Sequence, residues 1–150
     1  MQLLALISST LKKEIPVVAR MAQAEPQPAL LSLVDDGKYL LLQNATPATS
    51  VTVVDLEKGE QIAEIPTPGC WGILPMVNAN TFTTICGDGT FATYSWNADG
   101  TFGEPAKSEQ IFDVDADALC TNPAATNAAQ VFSFSSPETP RWAIMGTFFP

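Results

Sequence analysis

The chain has 150 residues, 46% hydrophobic and 15% charged, which suits one globular domain with a real core and excludes a disordered polymer. Sixteen acidic residues against seven basic ones give a net charge of −9, which opposes nucleic-acid binding, because phosphates must be met by Lys and Arg. There is no histidine, so Ser-His-Asp and Cys-His catalysis are excluded, and most zinc, copper and haem sites with them.

Residues 1–28 read as the end of one sheet plus a loop. Leu3 to Ile7 is apolar, but it is too short for the apolar part of a signal peptide and no basic residue precedes it. It is also far too short to span a membrane, so neither an export signal nor a membrane segment is expected. It reads as a strand that turns at Ser8-Ser9-Thr10 and returns over Lys13 to Val18; a short helix over Leu3 to Lys13 is the alternative. Met21 to Pro28 carries two prolines and no periodicity, and reads as a loop.

Residues 29–69 form the first full blade candidate. Leu31, Leu33 and Leu40 to Leu42 flank an Asp35-Asp36-Gly37 turn, Val51 to Val54 make a β-branched run, and Gln61 to Ile65 return after Lys58-Gly59. Asn44 to Ser50 reads as the widest turn of this unit; its Asn44-Ala45-Thr46 sequon, followed by Pro47, is taken as chance.

Residues 70–118 make a second blade candidate, with an inner turn at Val77-Asn78-Ala79-Asn80 and a tight one at Gly87-Asp88-Gly89. The pattern repeats: Asp36 to Leu41 lines up with Ala79 to Thr84, and Val51 to Leu56 with Phe91 to Trp96. The spacing of about 43 residues lies in the range of four-stranded propeller blades. A third copy begins near Gln130 to Phe134, so residues 119–150 read as the start of a further blade, cut short at Phe148-Phe149-Pro150. Asn122 to Ala129 reads as a small polar loop.

The candidate chemistry is thin. Cys70, Cys86 and Cys120 are an odd set, so at most one intrachain disulfide forms. Cys70 and Cys86 stand at the start and end of a predicted hairpin, where either a cross-link or two buried thiols is reasonable. Asp113, Asp115 and Asp117 have the spacing of a calcium loop, but its sixth position is Ala118 and its twelfth Ala124, so an exposed acidic connector is the better reading. Asp35-Asp36 suits a turn better than acid–base work, since adjacent strand residues face opposite ways. No helix follows Gly87-Asp88-Gly89 to make it a phosphate cradle. Trp71, Trp96 and Trp142 are each read as core or blade-interface residues. No catalytic, cofactor-binding or metal-binding residue emerges.

Asp36-Gly37-Lys38 followed by Leu40 to Gln43, Thr46-Pro47-Ala48, Val51 to Leu56, Pro68-Gly69-Cys70, Phe82 to Thr90 and Phe112 to Asp117 together carry a likeness to a known family. On these residues the sequence, from residue 14 to residue 134, resembles the heavy subunit of the quinoprotein amine dehydrogenases, the methylamine and aromatic amine enzymes. It implies an all-β fold, a fragment of about three four-stranded antiparallel blades from a seven-bladed β-propeller. It further implies a Cys70–Cys86 disulfide and a bacterial periplasm, which support each other because cytosolic thiols stay reduced. In that family the heavy subunit carries no catalytic residue. The tryptophan tryptophylquinone cofactor belongs to a small, disulfide-rich light subunit, and the heterotetramer oxidises primary amines to aldehydes and ammonia. Electrons leave to a copper protein or a cytochrome. No nucleic acid and no membrane are expected as partners. Past Phe134 the sequence departs from the family pattern.

Two further readings stand beside this one: a non-enzymatic propeller module that binds a protein or peptide, and a lactonase-type propeller hydrolase. The hydrolase needs carboxylates converging at a central channel, whereas Asp35, Asp55, Asp88 and Asp113 fall in turns or at strand ends. A three-blade piece would also leave two apolar blade faces open, so a marginal, aggregating or oligomeric chain is expected.

Overall fold

A computed structural model describes residues 2–4, 11–22, 27–76, 80–125, 129–135 and 140–146, with side chains described for 11–22, 27–76 and 80–117. The described residues are all-β, in antiparallel sheets. β1 (Gln2–Leu4) pairs with β2 (Leu11–Glu14). The second sheet contains β3 (Arg20–Met21), β4 (Leu31–Val34), β5 (Tyr39–Thr46), β6 (Ser50–Asp55) and β7 (Glu60–Pro66). There β3 and β4 lie along the same edge of β5, so the sheet runs β3/β4, β5, β6, β7. The third runs in order through β8 (Cys70–Pro75), β9 (Thr81–Cys86), β10 (Phe91–Ser95) and β11 (Ala106–Lys107). The fourth is a meander of β12 (Ala118–Ala125), β13 (Ala129–Ser135) and β14 (Pro140–Gly146).

The central strands explain their own sequence. Every residue of β6 and the first six of β5 are buried. Strands covered on both faces read as apolar runs and lose the in–out alternation of a half-exposed sheet. Tyr39, Leu41, Val51 and Val53 face Ile73, Phe82, Ala92, Tyr94 and Trp96 of the next sheet in one core. Phe82 stacks on Tyr94 with ring centroids 5.2 Å apart, and Tyr39 meets Trp96 edge-on at 5.7 Å. Each such pair adds about 0.5–1.5 kcal/mol beyond its burial. Leu40, Leu42 and Val54 point the other way, onto Ile15, Val17 and Met21. The second sheet is therefore clamped between the third sheet and the segment before it.

Several local expectations change. The first hairpin returns at Leu11, not Lys13, and Ile15 leaves the pairing to cover the Leu40–Leu42 face. The helical alternative fails, since residues 2–4 and 11–14 are strands. Met21, expected to open the loop, pairs instead with Asn44, next to Arg20 on Thr46. The expected wide turn over 44–50 is narrower, because Asn44 pairs with Ser50 and its amide donates to Ser50 Oγ and Thr52 Oγ1, both at 2.9 Å. Residues 122–125 belong to β12, where a polar loop was expected, and β14 lies in the stretch where the family pattern seemed to end. The turns expected at 8–10 and 77–79 lie outside the described residues.

Candidate functional site

Two features mark the end of the third sheet where β8 begins: a disulfide within the sheet, and a bulge that ties it to the second sheet. Cys70 and Cys86 are direct partners in the β8–β9 ladder, and their sulfurs are bonded at 2.02 Å. Beyond them β8 bulges: its register shifts between Trp71 and Leu74, and Gly72 takes φ 85°, open to glycine but rarely to other residues. The bulge turns the Gly72 and Ile73 amides away from β9 toward the preceding sheet. Gly72 N–H donates to Gln43 Oε1 at 3.1 Å, and Ile73 N–H donates to Ala29 O at 2.7 Å. The Gln43 amide donates to Asn44 O at 3.1 Å and Ser50 O at 3.2 Å. Gln43 is fully buried: its Oε1 ties the second sheet to the third, while its amide bonds stay within the second sheet.

On the opposite face of the third sheet a cleft of about 520 Å³ opens beside the disulfide. Its walls include Trp71, Leu74, Ile85, Cys86, Phe112 and Val114. Trp71 is 44% exposed and Val114 48%. Among the described residues, no Asp, Glu, Lys, Arg or hydroxyl side chain lines this cleft, and its described cysteine is spent in the disulfide. Its described lining offers apolar contact and no nucleophile, acid or base. Of the tryptophans expected in a core or a blade interface, Trp96 lies in the core, while Trp71 lies outside that core, pairing with Ile85 on the cleft side.

The remaining candidates are each used up locally. Asp35 and Asp36 occupy the β4–β5 turn at φ 52° and 51°. Asp55 is buried; its Oδ1 accepts Lys58 N–H at 2.9 Å and its Oδ2 lies 3.7 Å from Lys58 Nζ. Asp88 accepts the Thr90 hydroxyl and amide, which hold its carboxyl below the usual carboxylate range, and Lys107 Nζ stands 3.5 Å away. Asp113, Asp115 and Asp117 form one turn: Asp113 Oδ1 accepts Asp115 N–H, and Asp117 Oδ2 accepts Asp113 N–H. Asp117 is buried, so this stretch is not the wholly exposed connector expected. Among the described residues, no three His, Cys, Asp or Glu side chains converge as metal ligands. The side chains of Cys120 and Trp142 lie outside the described residues.

Gln43 and the open Trp71 cleft were the features sequence reasoning missed. A glutamine at the end of an unbroken Leu40–Leu42 run was the available signal, since a polar side chain there must find buried partners. Nothing in the sequence marked Trp71 as the tryptophan left open.

Successive antiparallel sheets, stacked face to face and latched near their first strands, define this chain as a β-propeller fragment. It belongs to the methylamine dehydrogenase heavy chain family, whose model matches residues 7–139. That match runs past both ends of the resemblance seen in the sequence. The chain is 32% identical over 100 residues to the methylamine dehydrogenase heavy chain of Methylobacillus flagellatus (strain ATCC 51484 / DSM 6875 / VKM B-1610 / KT), covering 67% of this chain and 24% of that relative. It is 30% identical over 93 residues to the methylamine dehydrogenase heavy chain of Methylophilus methylotrophus, covering 62% and 22%. The matched segment thus spans about a quarter of those relatives' length.

Proposed function

We propose that the chain works as a non-catalytic part of the heavy subunit of a periplasmic amine dehydrogenase, beside a light subunit that carries the quinone. The observation that carries this reading is the family match over residues 7–139, joined to a cleft lined, among the described residues, by no ionisable side chain. A surface of that kind supports and packs. It leaves oxidative deamination of a primary amine to the companion chain, and electron transfer to a copper protein or cytochrome follows from there. The tryptophan tryptophylquinone supplies the electrophilic carbonyl when present.

The disulfide at Cys70–Cys86 favours an oxidising compartment. No helix among the described residues is long and apolar enough to cross a membrane. The half-exposed Trp71 also favours the second reading, a propeller module that binds a protein, and one experiment separates the two. The chain is co-produced with a small, cysteine-rich subunit from the neighbouring gene, and co-purification and amine-dependent dye reduction are measured. A stable complex that turns over amine, with the chain alone inactive, supports the dehydrogenase reading. Failure to co-purify, or turnover by the chain alone, defeats it.

A further inference from the structure

The sequence holds three Asp-Gly pairs, Asp36–Gly37, Asp88–Gly89 and Asp99–Gly100, each in a turn. Such a pair is chemically labile. The glycine amide nitrogen attacks the aspartic acid Cγ; a C–N bond forms, and the carboxyl hydroxyl leaves with the amide hydrogen as water. The product is a five-membered succinimide. Water then adds to either ring carbonyl, and breaking the bond to the main-chain carbonyl leaves isoaspartate. One water is lost and one regained, with no oxidation or reduction.

The fold treats the three pairs differently. A Cβ built on Gly89 would sit 2.1 Å from Phe112 O, and one on Gly100 would sit 2.0 Å from Ile62 O. Both glycines are wedged against another stretch of backbone, so their peptides have no room to rotate into a ring. Their aspartates are also tied. Asp88 Oδ1 accepts Thr90 N–H at 3.1 Å and its hydroxyl at 2.6 Å, and Asp99 Oδ1 accepts the same groups of Thr101 at 2.9 and 2.7 Å. These bonds stabilise the ionised carboxylate, the poorer electrophile. Gly37 differs: nothing lies within 4 Å of its would-be Cβ. Asp36 is exposed, and both it and Asp35 are L-residues held in the left-handed region, at about 1–2 kcal/mol each.

We propose that Asp36–Gly37 is a modification site, at which the chain isomerises through a succinimide to isoaspartate and becomes a substrate for methyl transfer to the isoaspartyl carboxyl. The fold holds Asp88–Gly89 and Asp99–Gly100 inert. The product carries one extra main-chain methylene inside the turn that sets the Val34–Tyr39 pair, so modification loosens the anchor of Tyr39 against Trp96.

The test incubates the full chain at neutral pH and physiological temperature, once folded and once in urea. Isoaspartate is then labelled with an isoaspartyl methyltransferase and a radioactive methyl donor. Trypsin separates residues 21–38, which hold Asp36, from residues 59–107, which hold Asp88 and Asp99. In the folded chain the 21–38 label exceeds the 59–107 label about tenfold or more, because local opening is the only route at the protected pairs. In urea that preference disappears. Asp36→Glu, whose side chain cannot close the five-membered ring, removes the 21–38 label and leaves the other unchanged. Equal labelling of the two peptides in the folded sample, or label at 21–38 surviving Asp36→Glu, overturns the proposal.

Discussion

Replacing Gln43 by methionine tests whether the sheets are latched by a buried amide. The side chain is fully buried, and methionine nearly conserves its volume, so the change removes hydrogen bonds without opening a cavity. The Gly72 N–H, 3.1 Å from Gln43 Oε1, is left facing an apolar thioether. An orphaned buried donor costs about 1–3 kcal/mol, and loss of the bonds to Asn44 O and Ser50 O adds about 1 kcal/mol more. The expected destabilisation is about 2–4 kcal/mol, a large fraction of the roughly 5–15 kcal/mol that holds a domain folded. With an m-value of about 1.5 kcal/mol/M, the urea midpoint falls by roughly 1–3 M at unchanged m. Urea unfolding followed by tryptophan fluorescence reads this directly, since Trp96 lies in the core between the sheets. A midpoint within experimental error of the parent refutes the latch, as does a change in m without a change in midpoint.

Replacing both Cys70 and Cys86 by alanine opens a cross-link of sequence separation 16, and the chain-entropy model gives a loss of about 3 kcal/mol; a thermal melt matched by that of the parent under reduction checks it. Gly100→Ala drives a Cβ to 2.0 Å from Ile62 O at φ 87°, whereas Gly69→Ala meets only the backbone penalty at φ 72° in open space. The first variant is therefore expected to lose at least about 2 kcal/mol more than the second, and equal melting temperatures contradict this. For pH, the Asp88 and Asp99 carboxyls are depressed in the folded state, chiefly by hydrogen bonds from the Thr90 and Thr101 hydroxyls, with their amides contributing. Their contribution is thus complete above the ordinary value of 3.8 and is lost as pH falls through the lower folded value. Thr90→Val and Thr101→Val should each move the matching carboxyl titration, followed by NMR, back up toward 3.8. A titration that stays put shows that the hydroxyl is not the cause.

Turns and β-rich runs were legible because their signals are local. Asp35-Asp36-Gly37 does turn the chain between β4 and β5, and Lys58-Gly59 does so between β6 and β7. The histidine-free composition ruled out whole classes of chemistry by itself. Residues Ile15 to Met21 resisted reading because their conformation answers to Leu40 and Leu42, 19 to 27 positions away, and not to their own pattern. The site was the least legible part. Trp71 and Trp96 look alike in sequence, yet one borders a cleft and the other fills a core.

By itself the sequence determined the β-rich runs, the turns at Asp35-Asp36-Gly37 and Lys58-Gly59 and the absence of histidine chemistry, since each depends on residue type or on neighbours a few positions apart. Only the tertiary structure decided which face of each strand meets which sheet, because strands buried on both sides carry no alternation from which to read a face. It also decided that Gly72 turns to Gln43, 29 positions earlier in the chain, and that Gly100 rests on the backbone of Ile62. Contacts of that range are fixed by how the sheets stack, and no short stretch of sequence encodes them.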